Sequence, residues 1–287
     1  MSETRPEISI VIPTRNRLDC LERCLARLAE QQTRESAEII VVDDGSDGAD
    51  EIADLVARVP GARLVRQEKL GPAAARNAGV RAARGWIICF TDDDCEPHPD
   101  WAQTLADAIR RGADVAAGAT TNGNGNWSAR ALHLQVEHFA RQSGVPFAAS
   151  NNIAAPSRVL RHVPFDSSYP GAAEDRDWCS RLSRGGYRIE YEPAARLVHH
   201  QSLTLAGYLQ KQARYGSGSW RYHRWTSRRS FERPRFYFTL LRRGFGEHAA
   251  IGLLVAVGQM ALAVGYLREW RSSRRDGVQR GLAGNRG

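Results

Sequence analysis

Asp92, Asp93 and Asp94 stand in a row at the end of the apolar run WIICFT, Trp86 to Thr91. Core-quality residues here deliver like charges to one spot, and buried carboxylates without a counter-charge are costly. Read as unpaired, they require a cation. Asp92 and Asp94, separated by one residue, can fix a hard divalent ion and a ribose hydroxyl together. Mn2+ or Mg2+ held there would keep its remaining positions for phosphate oxygens. Without the ion, each close carboxylate–phosphate pair would repel by about 4 kcal/mol at an effective dielectric of roughly 20.

Other polar residues gather at comparable places. Pro13, Thr14 and Arg15 follow the apolar run ISIVI, and Asp43 and Asp44 follow EIIVV. Arg76 lies in GPAAARNAG, Glu174, Asp175 and Trp178 lie in AEDRDWCSRL, and His199 and His200 close ARLVHH. Each has a plainer role open to it. Asp43 and Asp44, before Gly45 and Ser46, suit a turn or a helix cap. Glu174 and Asp175 suit the first turn of a helix, where they oppose its dipole. Arg76 suits a solvated helix face, and the histidines suit core or surface. No GxGxxG follows the first apolar run and no GxxxxGK[ST] occurs, so the dinucleotide and P-loop readings lose their main support.

The elements that must position these groups alternate in type. EISIVIP, AEIIVVDD, ARLVRQ and WIICFTD read as strands. LDCLERCLARLAEQQ, ADEIADLVARV and GPAAARNAGVRAARG read as the intervening helices. Such alternation predicts right-handed crossovers and a mostly parallel sheet, with ligands beyond the carboxyl ends of the strands. PTRNR, DDGSD and TDDDC all fall there. After Gly118 the pattern changes: TTNGNGNWS reads as a loop, ARALHLQVEHFARQ as a helix and PFAASNNIAAP as a strand returning to the sheet. AEDRDWCSRLSRGG is a helix with acids first and glycines last, ARLVHHQSL a strand and LAGYLQKQARYG a helix.

The ordered set SIVIPTRNR, VVDDGSD, GPAAARNAG, CFTDDDCEP, AEDRDWCSRL and LVHH resembles the family-two inverting glycosyltransferases, which have the GT-A fold, from about Ile8 to Gly216. The resemblance implies an α/β GT-A domain over 1–216, with a nucleotide-binding half over 1–118 and an acceptor half over 119–216. Residues 217–287 form a basic, aromatic and apolar helical tail. It places Pro13, Thr14 and Arg15 around the nucleotide, Asp44 (rather than Asp43) on the base, and Arg76 near the base or diphosphate. It places Asp92 near the ribose and Asp94 on the metal, with Asp93 as a substitute, Asp92 also facing the ion, and His199 completing the contacts unless His200 does. Asp175 is the implied catalytic base. Asn152, Glu174 and Trp178 are candidate acceptor contacts, and the loops TTNGNGNWS and ASNNIAAP line that side. The implied donor is a nucleotide-sugar, with UDP as the default base, and the acceptor a glycan or lipid-linked hydroxyl. The QxxRW of processive polysaccharide synthases is absent; KQARYG is the nearest stretch, so a single sugar addition is expected.

Composition bounds the setting. The chain has 287 residues, 42% hydrophobic and 25% charged, which is ordinary for a globular protein. Its net charge of +8 is uneven: from Gln201 onward 16 Lys and Arg face 4 Asp and Glu. That asymmetry points to an anionic surface. Trp220, Tyr222, Trp225, Phe231, Phe236 and Tyr237 among the arginines suit a lipid headgroup layer, and no nucleic-acid module accompanies them. Ala249 to Leu267 holds 19 uncharged residues, about 28 Å of helix and just enough for a bilayer core. Arg242 and Arg243 precede it, and Arg268, Arg271, Arg274 and Arg275 follow. One crossing would put a basic cluster on the outer side, against the positive-inside rule. A peripheral or monotopic position in the cytoplasmic leaflet satisfies both clusters. The small stripe Ala249, Gly252, Ala256, Gln259 and Ala263 is expected to pack on FYFTLL or on a second subunit, as a homodimer. Five cysteines in apolar settings and no secretory leader suit a reduced, cytosolic chain. Nucleotidyl transfer to a sugar phosphate and a degenerate membrane adaptor are the competing readings. The first lacks a glycine-rich loop after PTRNR; the second conflicts with intact Asp92, Asp94 and Asp175.

Overall fold

The computed structural model describes residues 5–123, 126–142, 147–169, 171–201, 203–226 and 232–283. Asn124, Gly125 and Phe231, and the side chain of Arg275, lie outside that description. The first half alternates as the apolar pattern dictates: β1 (Ile8–Thr14), α1 (Leu18–Ala29), β2 (Ala37–Asp44), α2 (Ala49–Ala57), β3 (Ala62–Gln67), α3 (Pro72–Ala82) and β4 (Ile87–Thr91). Their Ile/Val-rich central strands are buried on both faces, as parallel strands covered by helices must be. Leu21, Cys24, Leu25 and Leu28 recur at helical spacing and give α1 its inner face. Gly79 brings α3 down onto β1, since a Cβ there would stand 2.2 Å from Val11 Cγ1.

The chain continues through β5 (Cys95–Pro97), α4 (Trp101–Arg110), β6 (Val115–Asn122), α5 (Trp127–Gln142), β7 (Asn152–Pro156), α6 (Ser157–His162), α7 (Glu174–Arg184) and β8 (Ile189–His199). The strands form one sheet in the order β3-β2-β1-β4-β7-β6-β8-β5. It is mixed: β7 runs antiparallel to β4 and β6, and β5 antiparallel to β8. Two apolar layers cover it, one centred on α1 and α4 and the other on α3, α6 and α7. The loop expected at Thr120 is still strand, because β6 pairs with β8 as far as Asn122–His199.

Three helices follow: α8 (Leu205–Thr226), α9 (Pro234–Glu247) and α10 (Ala249–Ala283). The chain divides into two compact units. One holds 1–124, 145–167 and 174–201, which is the sheet and its helices; the other holds 125–144, 168–173 and 202–287. The boundary expected at 216 falls inside the unbroken α8.

Within the second unit, α10 lies along α8 with backbones in close approach. A Cβ on Gly265 would meet Ala213 O at 1.9 Å, and one on Gly216 would meet Leu262 O at 1.9 Å. Tyr208 donates to Leu254 O at 3.0 Å, and Arg221 pairs with Glu269 at 2.8 Å. Gly252 does meet α9, at Gly244 and Phe245. The rest of the expected small stripe is displaced: Ala249 is exposed, and Ile251, Val255, Gly258 and Gly265 face inward instead. The opposite side of α10 presents Leu253, Met260, Val264 and Leu267 to solvent.

Candidate active site

The sheet order makes β2, β1 and β4 neighbours, so Asp43, Thr14 and Asp92 end at one edge of the molecule's first unit. Asn16, at φ 55, turns the chain there. Its side chain donates to Asp47 at 2.9 Å and accepts from the Asp47 N–H at 2.8 Å, which ties the β1 loop to the β2 loop. Beyond β4 the chain reverses through Asp92–Cys95, where the Cys95 N–H donates to Asp92 O. It enters β5, whose register sets Cys95 opposite His199. That pairing delivers His199 to the acidic cluster.

The acids are not unpaired, contrary to expectation. Arg17, at the N-terminus of α1, donates through one nitrogen to Asp93 Oδ1 and Asp94 Oδ2, both at 2.8 Å. Thr14 donates to Asp93 Oδ2 at 2.8 Å. His199 Nε2 lies 3.1 Å from Asp94 Oδ1, and Arg76 donates to Asp92 Oδ1 at 2.8 Å. Arginine reach explains the difference: a side chain from the neighbouring strand end neutralises charge that a strand-by-strand reading leaves alone. Burial opposes ionisation of Asp94, but the His199 hydrogen bond and charge, with Arg17, hold its carboxyl well below the usual carboxylate range. Burial raises Asp93 to about 6 against the pull of Arg17. Of two neighbouring carboxyls in one cluster, one is thus pushed above the ordinary carboxylate range and the other held below it.

A second acidic pair opens α7. Asp175 Oδ2 accepts the Ser150 N–H at 3.1 Å, while Asp175 Oδ1, buried, has no hydrogen-bond partner among the described residues. Glu174 lies 3.5 Å from Arg76 NH1. Burial pushes both carboxyls upward, Glu174 to about 7, and Arg76 opposes the rise in each. Arg76 is 4% exposed and bridges Asp92 to this pair. It is an internal cation between carboxylates, not a solvated helix arginine.

The other candidates separate. Asp43 accepts the Ser46 N–H at 3.0 Å and so closes the turn after β2. Asp44 takes N–H groups from Gln67, Leu70 and Gly71, organising the loop before α3. Arg15 donates to Gly45 O at 3.2 Å, and Pro13 is half-buried beside them. His200 turns away from the acidic cluster toward Glu96, 3.2 Å off, which leaves His199 as the histidine at the site. Two acceptor candidates are core residues. Asn152 is buried, its carbonyl taken by Trp101 Nε1 at 2.8 Å and its amide donating to Thr120 and Ala195. Trp178 is fully buried, donates to Val163 O at 2.7 Å and stacks on Phe165 at 4.8 Å. Both braces are corrections to the sequence reading: neither side chain reaches solvent.

Asp94, Cys95 and His199 offer ligand atoms within 4.8 Å of one another. Burial, then the nearby acids, hold the Cys95 thiol protonated, so no thiolate is offered. The remaining carboxylate and imidazole suit Mn2+ better than Mg2+, which prefers oxygen alone. Asp92 is engaged with Arg76 and stands outside that group. The residues fit an ion carried by Asp94 and His199.

The helix-flanked mixed sheet, with acids at the carboxyl ends of its parallel strands, has the architecture of the GT-A fold. The model for Glycosyl transferase family 2 matches residues 9–168, and the chain belongs to that family. Glycosyltransferase AglE of Haloferax volcanii is 29% identical over 245 residues, 80% of each chain. Pre-mycofactocin glycosyltransferase of Mycobacterium tuberculosis is 29% identical over 74% of this chain and 47% of its own length. Among solved structures, the mannosyltransferase PcManGT from Pyrobaculum calidifontis, in complex with GDP-Man and Mn2+, is similar with a TM-score of 0.58 and 22% identity, over 98% of this chain and 81% of that one. At that identity the likeness speaks to the fold.

Proposed function

We propose that this glycosyltransferase adds a single sugar, with inversion, from a nucleoside-diphosphate sugar to a hydroxyl of a glycan or lipid-linked acceptor. The observation that carries the reading is Asp175: one oxygen is oriented by the Ser150 N–H and the other is buried without a hydrogen-bond partner among the described residues. A carboxylate so held accepts an acceptor hydroxyl's proton as that oxygen attacks the anomeric carbon. Burial raises its basicity, while Arg76 keeps the ionised form accessible. Thr14 and Arg17 order the acidic strand end, and Asp92 is braced through one oxygen by Arg76. Asp94 and His199 would hold a divalent cation, which supplies charge neutralisation for the departing diphosphate.

Asp175→Asn is expected to lower kcat by about 10²–10⁴-fold, the usual worth of a general base, with donor affinity within error of wild type. Undiminished turnover removes Asp175 from the mechanism. A thermal-shift panel of UDP-hexoses and GDP-mannose, each with and without Mn2+, tests donor and ion together; stabilisation by none of them counts against the reading.

The same proposal seats the enzyme at the cytoplasmic face of a membrane. The described segment Ala249–Arg274 is long and apolar enough to cross one. Its inner face, however, is taken by α8, which carries Lys211, Arg214, Arg221 and Arg224 along its length. A crossing would draw those charges into lipid. An in-plane seat, with Leu253, Met260, Val264 and Leu267 down and the arginines at the headgroups, keeps them wet.

A further inference from the structure

We propose that Arg17 is a built-in counter-cation for the acidic strand end, and that it competes with the divalent ion for Asp93 and Asp94. The inference rests on the reading of Asp94 and His199 as the ion's holders.

One guanidinium nitrogen bridges both carboxylates at 2.8 Å, and the far oxygen of Asp94 faces His199 at 3.1 Å. Asp94 is therefore shared between a fixed positive charge and the imidazole that would complete the ion's seat. An ion arriving there adds two positive charges beside the guanidinium, and like charges so close repel. The acids are almost closed to solvent, at 5% side-chain exposure, whereas the Arg17 side chain is 49% exposed. Arg17 is thus the partner that can leave without opening the core. It makes no side-chain cap on α1, so its departure costs the helix no hydrogen bond. Coupling of this kind is reciprocal: the factor by which Arg17's hold on the acids weakens the ion's binding is the factor by which the ion weakens that hold. Phosphate oxygens are strong acceptors for a displaced guanidinium. A diphosphate that takes up the displaced guanidinium would therefore strengthen the hold of Asp94 and His199 on the ion.

Titration of Mn2+ alone, read by its electron paramagnetic resonance or by calorimetry, separates the possibilities. Arg17→Gln is expected to bind Mn2+ about tenfold more tightly than wild type, within the usual range of coupling between sites, and to melt lower without metal. Arg17→Lys, which keeps the charge, is expected to stay near wild type. Unchanged or weaker Mn2+ binding by Arg17→Gln overturns the competition while leaving the ion site standing. No Mn2+ binding by any of the three proteins overturns both. Should Arg17→Gln fail to fold, the wild type gives the answer: Mn2+ is expected to speed phenylglyoxal modification of Arg17, mapped by mass spectrometry. Unchanged or slower modification overturns the proposal.

Discussion

Glu174 and Asp175 share a buried corner with Arg76, and burial, opposed by that guanidinium, governs their titration. A base must be ionised to work, and burial raises Asp175 above an ordinary aspartate against the pull of Arg76. The acid limb of kcat/KM is therefore expected to lie nearer neutrality than that of an exposed carboxylate, as a pH–rate profile would show. Stability carries a second signature. Glu174 has its folded-state pKa raised from 4.5 to about 7, so the folded chain holds the proton more tightly than the unfolded one. That contribution is complete below 4.5 and is lost as pH rises to about 7. Glu174→Gln is expected to flatten the melting temperature across that window; an unchanged slope would place the titration elsewhere. At this scale the sequence was only partly legible. Asp94, Asp175 and His199 stand out because acids or imidazole sit where a strand or helix begins or ends. Arg17 was missed, although an arginine beside one strand end and bare acids at the next is a charge balance that can be read. The commitments of Asn152 and Trp178 depend on partners far off in sequence, Trp101 and Val163, and no local pattern announces them.

At the scale of elements, legibility follows length and burial. β1, β2 and β4 are unbroken apolar runs and helices α1 to α3 are periodic, so the nucleotide half of the sheet could be written down from pattern alone. β5 has only three residues and β6 ends in Thr-Thr-Asn, so neither carries a strand signal of its own; pairing with β8 makes them strands. α7 shows how an element sets the site. It presents Asp175 at its first turn because Trp178, Cys179 and Leu182 fix its inner face. Trp178→Ala is expected to cost about 3–5 kcal/mol by chemical denaturation and to lower turnover through that anchor. In the helical unit, the glycine seam decides packing. Gly265→Val is expected to cost about 1–3 kcal/mol, since its side chain would run into the α8 backbone. A stability equal to wild type would show that α8 and α10 are free to part.

For the whole molecule, charge and exposed apolar surface point the same way. Residues from Gln201 onward carry the positive excess, and α10 leaves a row of large apolar side chains in solvent. Co-sedimentation with vesicles is expected to need anionic lipid, to weaken with added salt, and to fall sharply for the double change Leu253→Glu and Met260→Glu. Binding to neutral vesicles alone, or concentration-dependent dimers that the double change abolishes, would give that face another occupant. The short ladder between β5 and β8 has a reach beyond its size. Asp94 and His199 belong to distant parts of the chain, and the β5–β8 pairing sets them side by side. A clipped chain that stops before β8 keeps Asp94 without His199, and so would lack half of the seat proposed for the ion. The seat proposed for the ion is complete only where that ladder is formed.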